Sequence, residues 1–163
     1  MARVTDHMTQ RGMAFEVIPH RHTFTSLAEA RELGVAADSV VKTVALRSHG
    51  RYVLAVLPAS RRLDMRLVHH ALGDAAARLA TEAELTADFP GYELGALPPL
   101  ASLLGTSMLV DPDVLDHETV VFAAGVGTES VKARTDELFR GEPMTVRPLA
   151  QRAEPAGDEP VIG

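Results

Sequence analysis

Lys42 is the residue of this chain most suited to chemistry. It lies in Val40-Val41-Lys42-Thr43-Val44-Ala45-Leu46, an apolar, β-branched run with the character of a buried strand. A lysine is rarely buried without a partner. Its ammonium must therefore meet a cavity, an acid or a bound anion, or else its stem packs at a sheet edge while its head reaches water. A second segment, Gly91 to Gly105, holds Gly95, Pro98 and Pro99. Glycines and prolines at this density exclude a regular helix or central strand. Such a stiff loop either connects two elements or presents backbone N–H groups to a ligand, where they would stabilise a developing oxyanion.

Other catalytic patterns are missing. There is no cysteine, so disulfides, thiolate metal sites and a cysteine nucleophile are excluded. No serine occupies a GxSxG elbow, and no GxxxxGK[ST] phosphate loop or HExxH helix occurs. Of the seven histidines, His20 and His22 share a strand face, and the adjacent His69 and His70 diverge on a helix. Metal catalysis is not expected. Gly125-Val126-Gly127-Thr128-Glu129-Ser130 is a GxGxxG with serine in the third glycine position, and it reads as a turn.

The elements that must position Lys42 and the loop follow from periodicity and caps. Phe15–His20 reads as a strand. Ser26 is the expected N-cap of a helix, with Glu29 at capping-box spacing and Gly34 ending it. Val40–Arg47 and Tyr52–Leu57 form a hairpin around His49-Gly50. Helices are expected from Asp64 to Gly73 and from Thr81. Short strands are expected at Ser107–Val110 and Thr119–Ala124, and Arg134–Phe139 holds a strand end and a short helix.

This is an α+β pattern in one domain, 1–140, followed by a loose Pro/Gly-rich tail, 141–163. Charge is uneven: residues 1–70 carry 10 Lys/Arg against 6 Asp/Glu, and residues 71–163 carry 6 against 16. A phosphate-bearing partner would prefer the first half. Leu94–Val110 is uncharged but broken by proline and glycine, so no membrane span is expected. The first residues lack a signal-peptide core, and the lack of cysteine suits a reducing cytoplasm, the expected location.

Three ordered segments resemble the YbaK-like aminoacyl-tRNA deacylases and the related editing domain of prolyl-tRNA synthetases. They are Val40–Val44; Val56-Leu57-Pro58-Ala59-Ser60-Arg61-Arg62-Leu63-Asp64 running on to Arg78–Leu85; and Gly91–Leu100 followed by Val110-Asp111. The likeness extends from about Phe15 to Phe139. It implies a single α+β domain with a mixed, mostly antiparallel, barrel-like sheet and flanking helices, and hydrolysis of the ester joining a wrong small amino acid to tRNA.

By that resemblance Lys42 lies in the pocket. Gly95, Ala96, Leu97, Pro98 and Pro99 form the Gly-x-x-x-Pro loop that cradles the aminoacyl group. Beside what the resemblance implies, His20, His22 and Thr25 are candidates to line the pocket mouth, and Gly125 is a further substrate-site candidate. No cofactor or metal is implied. The implied partner is the 3′ acceptor end of aminoacyl-tRNA, with a synthetase or elongation factor supplying further affinity, and not DNA or a membrane. Arg21, Arg47, Arg51, Arg61 and Arg62 are the expected tRNA-facing set.

Two departures stand out. Pro98 replaces a serine that many relatives carry, and Ala123-Ala124 occupies a position where relatives often have serine and glycine. With fewer hydroxyls for substrate, the alternative is a non-catalytic module of the same fold that binds aminoacyl-tRNA or an amino acid. A hydrolase of other aminoacyl esters is a third reading.

Overall fold

A computed structural model describes residues 3–151. The chain runs α1 (Arg3–Gln10), β1 (Phe15–Pro19), α2 (Ser26–Leu33), β2 (Val41–Ser48), β3 (Arg51–Pro58), α3 (Met65–Leu72), β4 (Arg78–Leu79), α4 (Glu82–Asp88), α5 (Ala101–Leu104), β5 (Ser107–Val110), β6 (Thr119–Ala123), β7 (Glu129–Arg134), α6 (Thr135–Phe139) and β8 (Met144–Val146). The strands form two sheets, ordered β1-β7-β6 and β4-β2-β3-β5-β8. Pairing is antiparallel except for β3–β5 and β5–β8. A parallel bridge between Val40 and Val121 joins one sheet to the other.

The β2–β3 hairpin forms as expected. Ser48 pairs with Arg51 across the two-residue turn His49-Gly50. Both turn residues have positive φ, 52° and 75°, the twist that matches a tight hairpin. Strand alternation then divides β2 between two cores. Val41 and Ala45 enter the main core between the sheets, with Leu54, Val56, Phe122 and Val131. Val44 and Leu46 pack on the opposite face with Ala55, Leu109 and Val68 of α3. A third cluster, Ala30, Val40, Ala59 and Val121, seats α2 over the seam between the sheets.

Two expectations need correction. The N-cap of α2 is Thr25, not Ser26: its side chain accepts from Ala28 N at 3.1 Å. Glu29 therefore falls one position beyond the box spacing, turns inward and is 2% exposed. The box does form at α4, where Thr81 and Glu84 cap each other.

The second correction concerns the segment after Gly141. It is not loose over residues 141–151: β8 pairs with β5, and Leu149 is fully buried in the α3-side core. Asp111 explains the attachment. One carboxylate oxygen accepts from Asp113 N and caps the short 3₁₀ turn Pro112–Asp116. The other accepts from Leu149 N at 2.9 Å and Ala150 N at 3.1 Å. A buried carboxylate with three backbone donors is well compensated. The remainder of the expected tail, residues 152–163, lies outside the described residues.

Leu149→Ala should cost about 2–4 kcal/mol in urea denaturation, as for a core leucine. A loss under about 0.5 kcal/mol would restore the loose-tail reading.

Candidate functional site

Lys42 pairs with Leu57 across the hairpin and occupies the β2 face that carries Val44 and Leu46. It is half-buried, between the cluster beneath α2 and the cluster beneath α3. Among the described residues its ammonium has no hydrogen bond and no ion pair. Burial lowers its pKa below the ordinary lysine value, and the Arg62 guanidinium lowers it further. A partly desolvated cation therefore has an exposed cation as its neighbour and no carboxylate paired with it, an arrangement that a bound anion would relieve. Thr43, on the other face, has a buried hydroxyl without a partner among the described residues.

The glycine–proline loop is held by its neighbours. Ala96, Leu97, Pro98 and Pro99 are all buried, and Leu97 packs in the main core with Val41 and Ala45. The loop thus anchors through side chains on the face of β2 opposite Lys42, and no hydrogen bond or ion pair joins it to that lysine. Gly95 remains exposed at φ 82°. A Cβ there would lie 2.7 Å from Phe24 O, so only glycine allows the loop to approach the start of α2 so closely. Ala96 N donates back to Glu93 O at 3.1 Å, closing a turn. The amides of Gly95 and Leu97 donate to no group among the described residues.

Glu93, which is not among the residues singled out above for chemistry, ties three loops together. Its Oε1 accepts from His22 Nε2 at 2.7 Å and from Gly127 N at 3.0 Å. Its own N–H donates to Gly125 O at 2.9 Å, and Thr23 N donates to Gly127 O at 2.9 Å. The His22 hydrogen bond, more than any other cause, lowers the Glu93 pKa below the ordinary glutamate value, and the Gly127 amide adds to it. Gly125 packs under the Tyr92 ring, where a Cβ would come within 3.0 Å. His22 and Phe24 meet edge to face at 4.4 Å, and Phe24 is 71% exposed.

The structure therefore brings His22, Gly95 and Gly125 into one rim. Thr25 sits beside it, but its hydroxyl is committed to capping α2. Together with Arg21, Arg31 and Phe24, His22 and Thr25 line an open groove of about 510 Å³.

The arginine set separates. Arg61 is paired with Asp113 at 2.6 Å. Arg47 lies over the Tyr52 ring and near Glu84, at the turn end of the hairpin with Arg51. Five residues of strand, about 16 Å, separate Arg47 from Lys42. Arg62 is the member beside Lys42. His69 Nε2 donates to Ala77 O, 2.9 Å away, and no cluster of three metal-ligating side chains occurs among the described residues.

A strand lysine without a counter-ion, a glycine loop fixed against a helix start, and two unused amides suit an anionic or ester ligand. Comparison with known proteins agrees. The family model described as aminoacyl-tRNA editing domain matches residues 20–140, most of the chain. This chain belongs to that family.

Among curated relatives, the Multifunctional Ser/Thr-tRNA deacylase ProXp-y of Escherichia coli K12 is 28% identical over 138 residues, 82% of either chain. The fold matches the crystal structure of hypothetical protein APE2540 at TM-score 0.80, with 24% identity and 91% and 99% coverage of the two chains. It also matches a protein described as a candidate trans-editing enzyme for prolyl tRNA synthetase, at TM-score 0.79, 23% identity and 92% and 96% coverage. The editing-domain architecture is thus an α+β domain built on the two linked sheets above. Among the described residues no helix is long and apolar enough to cross a membrane.

The low Glu93 pKa carries a sign. A depressed folded value supports the fold above the unfolded pKa, and that support is lost as pH falls through the folded one. Glu93→Ala at neutral pH should accelerate amide exchange at Gly127 by about tenfold or more. Unchanged protection would mean that the rim is held without Glu93.

Proposed function

We propose that this editing domain is an aminoacyl-tRNA deacylase acting in trans, hydrolysing the ester of tRNA mischarged with a small amino acid. The observation that carries this reading is Lys42: a half-buried ammonium beside Arg62, lacking any counter-ion among the described residues. The 3′ acceptor end of tRNA supplies anionic phosphate to such a site. In this reading the substrate completes the cationic pair, and the two walls of linked sheet act as an open barrel around the aminoacyl end.

The chemistry needs no protein nucleophile. Water attacks the ester carbonyl carbon, the carbonyl oxygen becomes an oxyanion, and the bond to the ribose oxygen breaks. That oxygen leaves with a proton derived from the attacking water, giving free amino acid and tRNA. In this reading Lys42 holds the phosphate of the acceptor end, the unused amides of the Gly95–Pro99 loop compensate the developing negative charge, and Gly125 and His22 shape the rim. An aminoacyl ester is already activated, so holding a water in place and stabilising the oxyanion account for the catalysis. The E. coli relative named as a Ser/Thr-tRNA deacylase places small, hydroxyl-bearing amino acids first in the substrate screen.

The departures at Pro98 and Ala123-Ala124 keep a second reading alive, a module that binds the aminoacyl end without cleaving it. A deacylation screen over tRNAs charged with each small amino acid separates the two. Release of amino acid supports the enzyme, and saturable binding without release across the panel selects the binding module. Free aminoacyl esters in the same screen identify a hydrolase indifferent to tRNA.

Lys42→Met should lower kcat/KM by about 100-fold or more. The same change should raise unfolding stability by roughly 0.5–1 kcal/mol, because it removes a desolvated, unpaired charge. Full activity in this variant would take Lys42 out of the mechanism. Arg62→Ala should raise KM and flatten its salt dependence, with Arg47→Ala as the control that leaves both unchanged.

A further inference from the structure

Glu29 is the one fully buried carboxylate on α2, and its contacts form a chain outside the site described above. Ser130 Oγ on β7 hydrogen-bonds Glu29 Oε2 and also lies 2.8 Å from His20 Nε2. His20 Nδ1 is 2.7 Å from the backbone oxygen of Arg21. Ser130 is fully buried. The chain connects α2 to β7 and to the segment that leaves β1.

Proton counting restricts its states. Arg21 O only accepts, so Nδ1 of His20 carries a proton. If His20 is neutral, Nε2 accepts the Ser130 hydroxyl proton, and Glu29 must itself be protonated to donate to Ser130 Oγ. If His20 is charged, Nε2–H donates to Ser130, which donates to a Glu29 carboxylate. Both arrangements satisfy every group, and both hold one shared proton. Without it two protons serve three contacts: either the Ser130 proton faces two acceptors, or the imidazole proton moves to Nε2 and Nδ1 meets Arg21 O lone pair to lone pair, so in either tautomer one contact of the chain becomes a repulsion.

We infer that Glu29, Ser130 and His20 are positioning residues that lock α2 through one shared proton, and that losing this proton loosens the helix start bordering the site. The start of α2 is where Thr25 caps the helix and Phe24 O abuts Gly95, so a shift there reaches the loop rim directly. The cluster that seats α2 is apolar: Val40, Ala59 and Val121 pack with Ala30, the residue after Glu29. Arg21 and Glu32 pair with each other on the outer surface. Arg31 and His22 border the groove at the N-terminal end of the helix, and Glu16 and Lys132 the groove by Leu33. His20 supplies the charge that acts on Glu29.

Burial is the largest effect on Glu29 and raises its pKa above the ordinary glutamate value, while Ser130 and His20 oppose it. A carboxyl raised in this way supports the fold when protonated, and that support is lost as pH rises through its folded value. The direction agrees with the proton count: the lock holds on the acid side and weakens toward alkaline pH.

The test is amide hydrogen exchange in α2, corrected for intrinsic rates, from about pH 5 to 9. Protection of residues 29–33 should fall about tenfold or more with rising pH in the native protein. In Glu29→Gln it should be independent of pH, because the glutamine amide donates to Ser130 at every pH. His20→Gln provides a second variant, whose amide donates to Ser130 and leaves Glu29 as acceptor; its protection should also be flat over the alkaline range. Flat protection in the native protein, or native pH dependence in either variant, overturns the inference.

The consequence for turnover rests on the deacylase reading. KM for mischarged tRNA should rise with pH in the native protein and not in Glu29→Gln, after subtraction of spontaneous ester loss. A pH-dependent exchange lock in a protein that releases no amino acid would overturn the deacylase reading and leave the lock standing. KM that ignores pH while exchange responds would sever α2 from the site.

Discussion

A cation placed on a strand without a counter-ion is tolerated only when the surrounding fold over-determines the strand. Lys42 meets this condition because β2 is held by neighbours along its whole length. It pairs along its length with β3, pairs with β4 near its end, and is flanked at its start by the Val40–Val121 bridge. Apolar side chains pack both of its faces. Hydrophobic burial on this scale, about 25 cal/mol per Å², can carry the cost of one half-desolvated ammonium. In the deacylase proposed above, the stability of the sheet and the reactivity of the site are therefore opposed at one residue.

The rest of the site is arranged by proximity between loops. Glu93 is exposed, yet it joins the segments around residues 22–24, 93–96 and 125–127 through His22, Gly127 and Gly125. Glycines at 95, 125 and 127 make these approaches possible, because a Cβ at each would meet Phe24 O, the Tyr92 ring or Thr23 O. Small residues and one bifurcated carboxylate hold the rim, while its large side chains, Leu97 and Tyr92, act as anchors in or against the main core.

Much of this was legible in the sequence where a local rule decides the outcome. The His49-Gly50 turn specifies the hairpin, Thr81-x-x-Glu84 specifies the start of α4, and Gly34 and Gly73 end α2 and α3 in the left-handed conformation. Failures came where tertiary contacts override local chemistry. Thr25 and Ser26 are both good caps, and the correct frame depends on whether Glu29 points out or in, which Ser130 decides from another sheet. Pro143 and Pro148 made the C-terminal segment look unstructured, although Asp111 holds it from 38 residues away. Lys42 was visible from strand composition; its neighbour Arg62 and the separation of Arg47 and Arg51 to the turn end of the hairpin required coordinates.

The attachment of β8 also bears on where this domain can be cut. The family match ends at residue 140, but β5 is covered on its outer side by residues 144–146. A fragment trimmed at 140 would present β5 as a bare strand edge with unpaired N–H and C=O groups, and would open the α3-side core where Leu149 sits. Such a fragment would be prone to join other copies edge to edge, so the unit that folds cleanly extends at least to Gln151.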